Sequence, residues 1–259
     1  MQSSRVCGNY CMPAARRKLV RGELDEAASV VIKTSLAGMS SADLTFVRHM
    51  TELAHLIDEL YLEQKGVDKL ASQVGPDAES QSLFRRNRGP SCKTPRFEKE
   101  AACSAIPGSP SVPVSVYPAA LQADADFCKK LEAHADAKKL LTPFSVVRES
   151  GGKLEAVGYD VAYRPRMTRI ASKLEEAAAD MKDPKEKALV SYLKAAAKAF
   201  RTNQWEPADE AWAKMSSRNS RWYVRVGPDE TYWEPCSQKA GFHLTFARIN
   251  TSSVALMEK

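Results

Sequence analysis

The chain has 259 residues, enough for one large domain or two small ones with a real core. With 44% apolar and 27% charged residues its composition is that of an ordinary globular protein, and the net charge is a modest +6. No run approaches the roughly 18 apolar residues that a membrane span needs, so no membrane-spanning segment is expected.

The N-terminal stretch MQSSRVCGNYCMPAARRKLVRGE lacks the continuous apolar core of a secretory signal. The default compartment is therefore the cytoplasm, with export expected only if the true N-terminus is missing. Residues 16 to 36 contain GELDEAASVVIKTSL, which reads as a first helix with acids in its opening turn, where the helix dipole favours them. SSADLTFVRHMTELAHLIDELYLEQKG follows as a second helix, capped by Ser40 or Ser41 and stopped by Gly66. Leu44, Val47, Met50, Leu53, Leu56, Leu60 and Leu62 supply its apolar stripe. His49 and His55 are six residues apart on it, so they do not share a face as metal ligands at i, i+4 would.

From Gly89 to Pro118 the many prolines and the absence of any period predict an extended connecting segment. Helical pattern resumes in ALQADADFCKKLEAHADAKKLL. FSVVRESGGKLEAVGYDVAY then reads as a β-hairpin turning at Gly151 and Gly152. Two further helices lie in MTRIASKLEEAAADMK and DPKEKALVSYLKAAAKAFRTN, the second opened by Asp183 as cap with Pro184 behind it. A short helix is entered at Pro207, and the chain returns to strand composition in RWYVRV and FHLTFARI. The last two helices look faintly like one tetratricopeptide unit, but no second copy occurs, and an array needs about three to bury its core. The fold class expected is α+β, mainly helical with a small, mostly antiparallel sheet. The division expected is a helical part over 1–117 with a Pro- and Cys-rich connector, and a mixed part over 118–259.

The basic clusters ARRKLVR, LFRRNRG and RPRMTR are scattered, and no RNA-binding aromatic signature, zinc finger or helix-turn-helix pattern accompanies them. They read as a solvated basic face, and no nucleic-acid partner is expected. Of the six cysteines, Cys7, Cys11, Cys92, Cys103, Cys128 and Cys236, none forms a CxxC pair or stands at zinc-finger spacing from a histidine. Cys92 and Cys103 bracket a short loop that would close as a disulfide in an oxidising compartment and stay reduced in the cytosol. Cys7 and Cys11 read as incidental. There is no phosphate-binding glycine loop, no G-x-S-x-G elbow and no H-E-x-x-H helix, and four histidines on distant elements assemble no metal site from this chain.

The acidic stretch GPDETYWEP is the candidate for chemistry. If residues 230 to 234 are extended, Glu230, Tyr232 and Glu234 project from one face, because side chains alternate along a strand. A carboxylate beside a phenol suits the free amino end of a peptide: the acid pairs with the ammonium, and the phenol donates to a carbonyl oxygen as charge develops on it. The plainer reading of the spacing has Tyr232 and Trp233 packing at a sheet edge while the acids are solvated.

NSRWYVRVGPDETYWEPCSQKAGFHLTFARIN resembles the segment of the dipeptidyl peptidase III family that carries an E-x-Y core, then an acid and Pro, then a Gly-Phe-type strand. The likeness is to the bacterial branch of that zinc metallopeptidase family. LYLEQKGVDKL, LFRRNRGPSCK, EKEAACSAIPG, YPAALQ and PADEAWAKM resemble the same branch in the same order, so the likeness runs from about residue 40. It implies a two-lobed enzyme, with a mostly helical lobe carrying the zinc and a mixed lobe built around a small β-core, that removes dipeptides from short peptides bound as an added strand, and this chain would be its substrate-side part. Glu230 would hold the substrate ammonium as the substrate-binding residue, and Tyr232 would be the catalytic residue at the scissile carbonyl.

The zinc helix of that family and its downstream acidic motif do not occur here. The chain is therefore expected to be the N-terminal, substrate-binding portion of such an enzyme. No cofactor is expected in this chain, with zinc belonging to the full-length protein, and activity is not expected from it alone. Its partners would be short peptides and a missing C-terminal zinc lobe, whose loss would leave apolar surface open to self-association. A non-catalytic peptide-binding or scaffolding protein derived from that lobe is the alternative. A third reading, nucleic-acid binding through the basic clusters, predicts steeply salt-dependent affinity.

Overall fold

The structure, a computed structural model, describes residues 14–26, 30, 31, 33–108 and 112–257. Cys7 and Cys11, and parts of the stretch read as the first helix, lie outside them. The helices are α1 (Ala14–Asp25), α2 (Ser41–Gln64), α3 (Ala78–Asn87), α4 (Phe127–Glu132) and α5 (Ala137–Leu140). The hairpin β1 (Ser145–Ser150) and β2 (Lys153–Gly158) follows, then α6 (Tyr159–Ala162), α7 (Arg164–Asp180), α8 (Lys187–Thr202) and α9 (Glu206–Ala213). The second hairpin, β3 (Trp222–Glu230) and β4 (Gly241–Arg248), precedes α10 (Thr251–Met257). Both hairpins are antiparallel. No helix of the described residues is long and apolar enough to cross a membrane.

The chain folds as two compact units. One is built from residues before Ser35 and from Leu62–Val114, the other from Ser35–Tyr61 and from Ser115 onward. In the first, Val20, Leu83, Cys92, Phe97, Cys103 and Ala105 form a small core. Its helix α1 lies earlier than the acid-rich stretch that reads as helical, and it ends at Asp25. The buried face of α1 is Arg16, Val20 and Glu23 at helical spacing. Two of those three are charged, which hides the stripe from any hydropathy pattern. At Gly22 a Cβ would lie 2.6 Å from the Phe97 ring, so any larger residue there would displace that ring.

Over residues 89–105 the connecting segment is ordered rather than merely extended. The Cys92–Cys103 disulfide closes it, Cys92 N–H donates to Cys103 C=O (3.1 Å), and Ala105 N–H donates to Pro90 C=O (2.8 Å). Glu23 is the hub of this loop. Its fully buried carboxylate accepts from Arg86 (2.6 Å), Asn87 (3.0 Å), the amides of Lys93 (3.0 Å) and Thr94 (3.1 Å), and the Thr94 hydroxyl (2.5 Å). Burial alone would push this carboxyl up, but the Thr94 hydroxyl and the surrounding amides outweigh it and hold it down at about 2.

In the second unit α2 presents Phe46, Met50, Leu53, Ile57 and Leu60 inward, with Ser40 Oγ capping the Asp43 amide at 3.1 Å. Helices α7 and α8 pack against each other, and Ile170, Leu174 and Ala178 of the first and Leu189, Leu193 and Ala197 of the second are buried. Asn203, in the left-handed region at φ 57°, ends α8. Tyr192 joins α8 to β3, donating to Val226 C=O (3.2 Å) and accepting from Val226 N–H (2.8 Å). Phe242 of β4 meets Tyr159, Phe200 and Trp205 in one aromatic cluster, with ring centroids 5.3 to 5.9 Å apart.

Two helical expectations need correction. The stretch 120–141 is broken into a 3-10 turn, α4 and α5, because Asp124 and His134 side chains accept from the Asp126 (2.9 Å) and Asp136 (3.0 Å) amides and so compete with the helical ladder. Asp183 caps a 3-10 turn over Pro184–Glu186, accepting from the Lys185 amide at 2.9 Å, and α8 starts after it.

Glu23→Gln should destabilise the first unit by about 3 kcal/mol at neutral pH, since an amide nitrogen would face donors that now meet a carboxylate. The folded-state pKa of Glu23 lies below its unfolded value, so its contribution is present above about pH 4.5 and is lost as the pH falls towards 2. Urea melts at pH 7, at pH 3 and below pH 2 check both: wild type and variant should differ clearly at pH 7, differ less at pH 3, and converge only below about pH 2.

Candidate functional site

Strand β3 carries the candidate residues to its C-terminal end. Its register with β4 slips between Pro228, opposite Phe242, and Glu230, opposite Gly241, so Asp229 is the extra residue of a β-bulge. Arg225 Nε donates to Asp229 Oδ2 at 2.7 Å, and a second guanidinium nitrogen reaches Oδ1. His243 Nε2 lies 2.6 Å from Asp229 Oδ2. Burial acts to raise the Asp229 carboxyl, but His243 and Arg225 overcome it and hold it at about 2. Arg225 also pairs with Asp209 of α9 at 2.7 Å and lies 5.1 Å over the Trp212 ring.

Glu230 is exposed, and among the described residues its carboxylate makes no hydrogen bond or ion pair. Of the two adjacent acids, Asp229 is paired within the protein and Glu230 faces solvent. Tyr232 is 76% exposed, at the first turn of the loop after the strand. Burial is the main cause holding the Tyr61 phenol of α2 above its ordinary pKa, and interaction with Tyr232 adds to it. Trp233 docks edge-on against Tyr61, with centroids 5.6 Å apart, and donates its indole N–H to Lys239 C=O at 2.6 Å.

The expectation of three residues on one extended face is wrong for Glu234. The strand ends at Glu230, Tyr232 and Trp233 form a turn, and Glu234 is buried. Its carboxylate accepts from the amides of Cys236 (2.7 Å), Gln238 (2.5 Å) and Lys239 (2.9 Å) and from the Tyr117 hydroxyl (3.1 Å). An extended chain cannot bring three of its own nearby N–H groups to one carboxylate, so meeting that demand forces the turn. The plainer reading also misplaces this acid, which is not solvated. Burial and the Glu234 charge together push the Tyr117 phenol up.

Two residues to which the sequence assigned no role complete the loop. Lys239 is fully buried, and its ammonium donates to the carbonyls of Leu140 and Thr142 (2.9 Å) and to Ser145 Oγ (3.1 Å). Burial pulls it down to about 8, with the Glu234 charge opposing. Cys236 forms a disulfide with Cys128 of α4 across 108 residues of sequence. The local signal for that pairing was absent, because only the fold brings such distant positions together.

The histidines stay apart: His49 is buried beside Asp180 of α7 (2.8 Å), His55 is exposed, and His243 belongs to Asp229. Among the described residues no group of three or more His, Cys, Asp or Glu could hold a metal ion.

No family model matches the sequence, and no curated protein matches it. The solved structure of DPP III from Caldithrix abyssi matches with a TM-score of 0.76 at 24% identity, over 92% of this chain and 45% of that one. Dipeptidyl-peptidase III from Corallococcus sp. strain EGB matches with a TM-score of 0.75 at 23% identity, over 91% of this chain and 44% of that one. The chain thus spans under half the length of the structures it matches. Its helical packing and two antiparallel hairpins are the fold of one part of a dipeptidyl peptidase III.

Proposed function

We propose that this chain is the N-terminal, substrate-binding portion of a zinc exopeptidase of the dipeptidyl peptidase III type, which releases dipeptides from peptide N-termini. What carries the reading is the fold likeness over 92% of the chain, together with an exposed, unpaired carboxylate and an exposed phenol at one strand end. Glu230 takes the substrate ammonium. Its neighbour Asp229 cannot compete for that role, because Arg225 and His243 already satisfy it. Tyr232 donates its O–H to the scissile carbonyl oxygen, a bond that strengthens as negative charge develops there.

Zinc does not fit the described residues, so no step here runs through it. In this proposal the metal sits on a second lobe contributed by sequence outside this chain, and that lobe is the chain's main partner. Two disulfides among the described residues favour an oxidising compartment over the cytoplasm.

Tetra-alanine with a free amino terminus should bind the purified chain, and N-acetylation should abolish the binding. Glu230→Ala should weaken it at least about tenfold, or about 1.4 kcal/mol, by calorimetry. Binding indifferent to acetylation would sink the ammonium-clamp reading. Tyr232→Phe should leave affinity within about twofold and stability within about 0.5 kcal/mol, because the phenol is exposed and acts on the transition state. No dipeptide should be released from a fluorogenic dipeptidyl substrate by this chain with added zinc. Turnover would refute the two-lobe reading, whereas binding without turnover even after a zinc lobe is supplied would favour a scaffolding role.

A further inference from the structure

The loop Thr231–Ala240 carries Tyr232 and begins directly after Glu230, yet its own backbone is not held by strand pairing. Trp233 docks on Tyr61 and Ala240 N–H donates to Pro143 C=O (2.9 Å), and three further tethers secure the stretch from Glu234 to Lys239. Glu234 gathers the amides of Cys236, Gln238 and Lys239, the Lys239 ammonium plugs into the carbonyls that precede β1, and the Cys128–Cys236 disulfide fastens the middle of the loop to α4. These tethers are coupled. Cys236 N–H is one of the Glu234 bonds, so the covalent anchor and the carboxylate cap meet at the same residue. Ser237, next along, stands at φ 52°, a left-handed conformation that a serine holds only when its surroundings impose it.

We infer that the Cys128–Cys236 disulfide is the positioning element of the candidate site, and that its reduction by a dithiol releases Tyr232 and Glu230 from their binding geometry. The proposal rests on the peptide-binding reading above for its binding arm only. Cys236 is nearly buried whereas Cys128 is partly exposed, so the attacking thiolate enters at Cys128 Sγ. The S–S bond breaks, Cys236 Sγ leaves as a thiolate and takes a proton, and a mixed disulfide forms on Cys128. The second thiol of the reductant then displaces Cys128, so two electrons pass from dithiol to disulfide and both cysteines end as thiols. The site is then set only under oxidising conditions, whereas the Cys92–Cys103 bridge lies in the other unit and does not set it.

The test compares wild type, Cys92→Ser/Cys103→Ser and Cys128→Ser/Cys236→Ser, each with and without dithiothreitol, and wild type again after reoxidation. Hydrogen exchange over residues 231–240 and binding of free-amino tetra-alanine are read on the same samples, with far-ultraviolet circular dichroism to check the fold. On reduction, wild type and the Cys92→Ser/Cys103→Ser variant should exchange about tenfold faster in this loop and bind about tenfold more weakly, and reoxidation should restore both. The Cys128→Ser/Cys236→Ser variant should behave as the reduced protein in both states. If that variant does not fold, reduction and reoxidation of Cys92→Ser/Cys103→Ser decide the question alone.

Unchanged exchange on reduction would overturn the proposal, since Glu234 and Lys239 would then suffice. Faster exchange with unchanged binding would overturn it too, because the loop would not position the site. If no sample binds peptide in any state, the peptide-binding reading fails. The positioning claim is then judged by exchange alone: a protected loop overturns it, and a loop loosened reversibly upholds the anchor.

Discussion

A carboxylate taken out of water must find its hydrogen bonds within the chain, and both units of this protein are arranged around that demand. Glu23 gathers Arg86, Asn87 and the backbone after Cys92, and Glu234 gathers Tyr117 and the backbone on both sides of Ser237. In each case the donors come largely from an irregular loop, and in each case a disulfide closes beside them. Irregular backbone near a protein interior has no helix or strand ladder to satisfy its polar groups. Here one buried acid per unit supplies acceptors to several amides at once, so the loops are ordered without strands or helices.

The same economy separates structural from available charge at the end of β3. Asp229 and Glu230 are adjacent and chemically alike, yet the bulge turns them to different surroundings. Asp229 is drawn to Arg225 and His243, and Arg225 in turn is braced by Asp209 and the Trp212 face. Glu230 faces solvent with its charge uncompensated. A bulge costs a ladder position, but it leaves an unpaired carboxylate at the last paired residue of the strand, directly beside the tethered loop.

Much of the architecture was legible in the sequence. Helix α2 follows from its stripe and the serine cap, the first hairpin from Gly151 and Gly152, both in the left-handed region, and α9 from Pro207 in its first turn. These are local signals, set by periodicity and by the φ preferences of Gly and Pro. Where charged residues occupied buried positions the sequence misled. Glu23 placed the first helix too late, because an acid in a helical stretch reads as a solvated opening turn. Asp124 and His134 broke a helix that apolar spacing alone would have continued.

The candidate site divides along the same line. Sequence by itself determined that an acid and a phenol stand two residues apart near the junction of two strands, in a pattern that resembles a segment of the dipeptidyl peptidase III family. It also determined the α+β class, through periods of 3.6 and 2 that depend only on neighbours along the chain. Tertiary structure alone decided which acid stays free. Asp229, Glu230 and Glu234 are all carboxylates, and their roles follow from partners 2 to 117 positions away in sequence. It alone joined Cys128 to Cys236 and buried Lys239 against the carbonyls of Leu140 and Thr142. Burial and pairing are properties of three-dimensional neighbourhoods, and no spacing along the chain encodes them.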